Sequence, residues 1–185
     1  MVTSRAKPVT HGWDRCDDAA MKRVDPPKAA DEKTSVLAYL DYQRATMLRK
    51  VEGVTDEQAR FSPVPSGTSL WGLVAHLTMV ERWWLTAVVA DAGDVEFPWS
   101  DEDPDADWRG PEGASFADVV AAYEAECERS RAITADVDLD RATSTRRARH
   151  GWSVRAVLLH MIEETARHCG HADILREMVD GTVGE

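Results

Sequence analysis

The chain has 185 residues, 43% of them hydrophobic and 30% charged, and carries a formal net charge of −11. This is the balance of a folded globular protein, which excludes wholesale disorder and points to about one domain with surplus length. The acidic charge argues against nucleic acid as a partner, and three cysteines, Cys16, Cys127 and Cys169, make neither a disulfide framework nor a thiolate metal cluster.

Residues 1–30 read as an irregular leader with Pro26-Pro27, Asp17-Asp18 and Lys22-Arg23, and residues 31–180 as the folded domain. The polar start holds no apolar run of signal-peptide type, and no stretch reaches the roughly 18 apolar residues of a membrane span. A cytosolic location and no membrane partner are therefore expected. A first helix is predicted from about Asp31 to Lys50, on Val36, Leu37, Leu40, Met47 and Leu48, with Gly53 just past its end. Thr55 can cap a short turn with Gln58 three residues on, and Pro63, Pro65 and Gly67 then break the chain.

A second helix, capped by Ser66, Thr68 or Ser69, runs through apolar residues from Leu70 to Ala90. Asp91 to Ala114 is a long Gly-, Pro- and acid-rich connection holding Phe97, Trp99 and Trp108, and loops of this length are often functional. Ser115, with Asp118 at capping-box spacing, opens a third helix that runs to about Thr134. A connection with Arg146, Arg147 and Arg149 follows, and a fourth helix spans about Trp152 to Val179, before Gly181. No convincing strand pattern exists, so four long helices in one domain predict an all-α four-helix bundle.

The fourth helix carries His160, Glu164, His168 and His171. At 100° per residue they fall at about −40°, 0°, +40° and −20°, on one narrow face. Val157, Met161, Leu175 and Met178 lie close to the same stripe, so these polar groups turn partly inward, where a metal would satisfy them. Glu164 and His168, spaced by four, can converge on one ion, and His76, inside the apolar second helix, is the candidate third ligand. Each alone has an ordinary reading: His76 as a core histidine with one hydrogen bond, Glu164 and His168 as a surface pair. His160 and His171 read as groups that orient ligands or meet substrate. Arg44, mid-helix, can reach a cavity, and Trp99 and Trp108 can close an apolar pocket or simply anchor the long loop. The arginine patch can hold an anion or balance the acidic loop. Cys169 reads as a packed residue and Glu163 as surface.

Three stretches carry a family resemblance: LAYLDYQRATMLRKVEGVTDEQAR from Leu37, SGTSLWGLVAHLTMVERWW from Ser66 and LLHMIEETARHCGHAD from Leu158. Together they resemble the DinB-like superfamily, in its actinobacterial branch related to mycothiol-dependent maleylpyruvate isomerase and mycothiol S-transferases. The resemblance covers about Asp31 to Val179. It implies an up-up-down-down bundle with a divalent ion near one end of the cavity. The common ligand pattern of the superfamily is three histidines; His76 and His168 match, while Glu164 stands at the middle position. The maleylpyruvate isomerase branch uses His/Glu/His, which His76, Glu164 and His168 match.

The implied chemistry is activation of a low-molecular-weight thiol, mycothiol or a similar one, by Zn²⁺ for attack on an electrophilic small molecule. Ni²⁺ or Fe²⁺ suits the same donors. His160 and His171 then read as the proton-transferring catalytic residues, and Arg44, Trp99 and Trp108 as contacts for the bound thiol. A homodimer through an exposed bundle face fits the same reading. Two alternatives stand beside it: a metal-dependent small-molecule hydrolase, and a non-catalytic metal-binding stress or ligand-binding protein.

Overall fold

Asp31 starts the first helix, α1 (Glu32–Val51), by accepting the Thr34 backbone N–H at 3.0 Å. Glu32 in its first turn and Arg49 and Lys50 in its last complement the helix dipole. The computed structural model describes residues 23–93, 95–144, 146 and 151–184. Trp13, Cys16, Arg147, Arg149 and the first 22 residues of the predicted leader lie outside the described residues. Thr55 and Gln58 form a reciprocal capping box on the short helix α2 (Asp56–Arg60). Ser69 caps α3 (Leu70–Glu81) by accepting the Gly72 N–H at 3.1 Å. The same rod continues as a wider π-helical stretch, Arg82–Val89, which sequence periodicity did not reveal.

A 3₁₀ turn, Ala106–Arg109, interrupts the long connection. Ser115 and Asp118 form the capping box of α4 (Phe116–Thr134), so the shorter Asp serves where Glu is commoner. Ser153 caps α5 (Val154–Asp180), and Gly181, left-handed at φ 80°, ends it. The described residues thus form an all-helical bundle with one isolated bridge, Ala142 to Ser153, and no strand. No helix among them is long and apolar enough to cross a membrane.

Contacts at the helix ends define the directions. Arg155, at the start of α5, meets Glu32 at the start of α1, and Arg176 near the end of α5 donates to the Lys50 and Glu52 carbonyls. α1 and α5 are therefore parallel. Lys33 donates to the Ala135 and Val137 carbonyls past the end of α4, and the Phe116 N–H at its start reaches Asp56 beyond α1. α4 therefore opposes α1. α3 opposes it too, since Leu40 packs with Leu85 while Met47 and Val51 pack with Leu70 and Leu73.

The bundle and its long loop are as expected, but the order of directions is corrected from up-up-down-down to up-down-down-up. The physical reason lies in the loop. Neighbours running the same way need a connection that travels back along the bundle, about 30 Å for a 20-residue rod. The chain from Ala90 to Ser115 makes that return along α3, with Phe97 and Trp99 against Trp83, Trp108 against His76, and Gly110 against Trp71. Two glycines permit this close approach. A Cβ on Gly72 would sit 3.0 Å from the Trp108 carbonyl oxygen. Gly110, at φ 65°, would place one 2.7 Å from Trp71 Nε1. Trp71 Nε1–H donates to the Arg109 carbonyl at 2.9 Å and pins the loop.

The core has two apolar clusters, one around Met47, Leu73, Leu77 and Tyr123 and one around Leu40, Leu85, Val157 and Met161. Between them in chain position lie Arg44 on α1 and Glu81 on α3. Their guanidinium and carboxylate meet through two hydrogen bonds of 2.7 Å each.

Candidate metal centre

α3 and α5 bring His76, Glu164 and His168 together, with one ligand atom from each lying within 4.8 Å of the others. Glu164 Oε1 is 3.4 Å from His76 Nε2 and 3.1 Å from His168 Nε2. The spacing of four on α5 supplies two donors on one helix face, and His76 is the polar residue that α3 turns toward them.

A fourth residue completes the arrangement, and sequence reading did not select it. Asp107, in the 3₁₀ turn and 7% exposed, accepts the His76 Nδ1–H at 2.6 Å. That bond fixes the tautomer and aims the Nε2 lone pair at Glu164. On the other histidine, Nδ1 of His168 lies 3.3 Å from Nδ1 of His171. Either ring of this pair can donate; in the tautomer in which His168 does, its Nε2 lone pair faces Glu164. In the structure an imidazole Nε2–H can donate to Glu164 across these short distances, and with a divalent cation bound the two Nε2 lone pairs and the carboxylate oxygen would together serve as its donors. Two nitrogens and a carboxylate suit a divalent ion and leave a coordination position open.

The electrostatics favour the ligand forms of both groups on α5. Burial pushes His168 below its ordinary pKa, and the neighbouring His76 lowers it further, against the pull of Glu164. Burial works to raise Glu164, but His168 and His76 outweigh it and hold the carboxyl below its usual range. Trp108 stacks on His76 with ring centroids 4.2 Å apart and an interplanar angle of 11°, covering one face of that imidazole.

The other expected site residues separate. His171 touches His168, but His160 does not join the cluster: its ring lies 5.0 Å from Trp84 and 5.9 Å from Trp152, and its Nδ1 3.7 Å from Glu163. Arg44 is 2% exposed, with Nε and Nη2 bonded to Glu81 and Nη1 to Asp41, so the expectation of an Arg44 contact to a bound thiol is corrected. A mid-helix position alone does not reveal that Glu81 on α3 is its partner. Arg146 pairs with Asp91, the balancing role rather than anion capture. Trp99 stacks on Phe97 at 4.5 Å and lines a cleft of about 360 Å³ that starts at His76 and Asp107 and continues along Trp83 and Trp84. A second cleft of about 400 Å³, between Thr78, Arg82, Phe97 and Val119, includes none of the three candidate ligands.

Cys127 and Cys169 offer no nucleophile. Burial is the main reason both thiols are pushed up to about 12, and at pH 8 only roughly one part in ten thousand is thiolate. In a Cys16→Ser variant, iodoacetamide at pH 8 is expected to leave the native protein unmodified and to label two thiols in denaturant. Labelling of the native fold within minutes would show that these thiols are accessible.

A family model described as mycothiol-S-transferase matches residues 35–181. Comparison with curated protein sequences finds no match. Among solved structures, a conserved protein from Enterococcus faecalis is similar in fold, with a TM-score of 0.63 and 16% identity over 83% of this chain and 100% of that one.

Proposed function

Because this chain belongs to the mycothiol-S-transferase family of the DinB-like superfamily, we propose that it is a metal-dependent thiol transferase or isomerase. The reaction joins a low-molecular-weight thiol such as mycothiol to an electrophilic small molecule. The observation that carries this reading is the convergence of His76 Nε2, His168 Nε2 and Glu164 Oε1 beside an aromatic cleft. These atoms would hold a divalent ion, Zn²⁺ first, with Ni²⁺ or Fe²⁺ suiting the same donors, and such an ion would supply Lewis acidity that lowers the pKa of a bound thiol.

The chain's own residues do the rest. Asp107 holds the His76 imidazole in the tautomer that presents Nε2, and His171 lies beside Nδ1 of His168. Trp108 shields one side of His76, and Trp99 closes the loop side of the cleft, where both meet the thiol or its partner. His171, exposed beside His168, is the proton-exchanging group nearest the candidate ligands, and His160, half-buried against Trp84, is the second one. Among the described residues, the buried Cys127 and Cys169 are not placed to act in place of an external thiol. Metal-loaded protein is expected to consume an electrophile such as monobromobimane faster than mycothiol does alone, and the metal-free protein is expected to add nothing to that uncatalysed rate. Turnover of electrophiles or esters without thiol would replace this reading by the hydrolase, and no turnover in either case by a ligand-binding protein.

A further inference from the structure

We infer that Glu126 on α4 is a positioning residue for the electrophile: it fixes the π-helical turn that carries the tryptophan walls of the cleft beside His76. The link to the electrophile rests on the thiol-transfer reading of the site. A π-helical turn is rare and recurs at functional sites. This one closes with the Ala90 N–H donating to the Leu85 carbonyl at 2.9 Å, one residue further back than in an α-helix. A group that grips such a turn from outside also sets where its side chains stand.

Glu126 is 3% exposed. Its Oε2 accepts from Nε and Nη2 of Arg82, each at 3.2 Å, and its Oε1 accepts the Thr86 hydroxyl at 3.2 Å. Arg129, on the same helix, adds an ion pair to Oε1 at 3.5 Å. One buried carboxylate thus holds two residues of the π-helical stretch, one turn apart. Between them stand Trp83 and Trp84, which leave in other directions. Trp83 meets Phe97 and Trp99 of the loop, with ring centroids 5.2 and 6.0 Å away, and Trp84 meets Trp152 and His160 on the other side, each at 5.0 Å. Both indoles line the cleft with Trp99, whereas Glu126 does not line it. Glu126 therefore acts on the cleft through the turn.

Glu126→Gln keeps the size of the side chain but replaces one acceptor oxygen by an amine donor, so Arg82 and Thr86 are no longer both held. In protein labelled with 5-fluorotryptophan, with lines assigned by single Trp→Phe substitutions, this change is expected to move the ¹⁹F lines of Trp83, Trp84 and Trp99. The line of Trp71, at the start of α3, is expected to stay. Thr86→Val removes one hold and keeps the shape; it is expected to move the same lines by less, and carries the test if Glu126→Gln does not fold. The kinetic arm uses metal-loaded protein with saturating mycothiol and monobromobimane. The thiolate sulfur bonds to the bromomethyl carbon, bromide departs with the electron pair, and the thiol proton passes to solvent. Above the uncatalysed rate, KM for the bimane is expected to rise at least fivefold in Glu126→Gln and at least twofold in Thr86→Val, with kcat and the metal dissociation constant little changed. Unmoved lines, lines that all move together with that of Trp71, or an unchanged KM would overturn the inference and leave Glu126 a purely structural role. Local ¹⁹F shifts beside a wild type without thiol-dependent turnover would defeat thiol transfer while leaving the hold of Glu126 on the cleft walls intact.

Discussion

Glu81→Ala is expected to cost the fold about 3–5 kcal/mol, the loss seen when one partner of a buried ion pair is removed. Glu81 is 1% and Arg44 2% exposed, and two bonds of 2.7 Å join them between α1 and α3. Burial alone would depress the Arg44 pKa, but the charge and hydrogen bonds of Glu81 more than offset this and raise it. Without Glu81 the guanidinium stays charged, keeps only its bond to the half-exposed Asp41, and sits desolvated between two apolar clusters. For a domain of this size the loss amounts to a fall of about 6–20 °C in Tm. The double substitution Arg44→Met with Glu81→Leu is expected to recover most of it, because paired apolar replacement leaves no orphaned charge. Thermal and urea melts of the three variants are the measurement. A loss below about 1 kcal/mol for Glu81→Ala would show that water reaches the pair.

This pair also marks what was legible in sequence. Leu40, Arg44, Met47 and Val51 recur at one helical period, as do Leu77, Glu81 and Leu85, so a cation and an anion each occupy a core position. Periodicity alone reveals that much, but which helix faces which depends on direction, and direction was the misread part. The length of the Asp91–Ala114 connection held the missing information. A hairpin between antiparallel helices needs few residues, whereas a return along the bundle needs many. The three candidate ligands were readable because helical geometry links positions 164 and 168, and because His76 interrupts an apolar run. Asp107 was not, because irregular backbone carries no period from which a side chain's direction follows. Its signal was weak: an acid immediately before a tryptophan, Trp108, that packs on the bundle. The π-helical stretch was hidden for a related reason. An average of 100° per residue cannot report a wider turn, although the Trp83-Trp84 pair marked a place where adjacent large side chains need different directions, one toward the loop and one toward α5.

His76→Ala is expected to abolish stoichiometric metal binding while leaving the helical fold in place. His76 is one of three donors, and its removal leaves only Glu164 and His168, one helical turn apart on α5. Two ligands from a single helix give an ion little more than an exposed surface pair would. The imidazole is 16% exposed and borders the cleft, so its loss opens space on the solvent side rather than a sealed cavity in the core. Asp107→Asn supplies the graded counterpart. The amide keeps the size of the carboxylate but no longer holds the His76 tautomer by charge, and metal affinity is expected to fall about 10–100-fold, the range typical of such outer partners. The order of the two effects is the discriminating observation. If α3 merely happens to place a histidine near α5, His76→Ala leaves the metal content of the purified protein unchanged. If Asp107 only anchors the loop, Asp107→Asn lowers thermal stability without moving the metal dissociation constant or the visible spectrum of the Co²⁺-substituted protein. A lone orienting role for Asp107 predicts the reverse pattern: a shifted Co²⁺ spectrum, weaker binding, and an unchanged melting temperature for the metal-free protein.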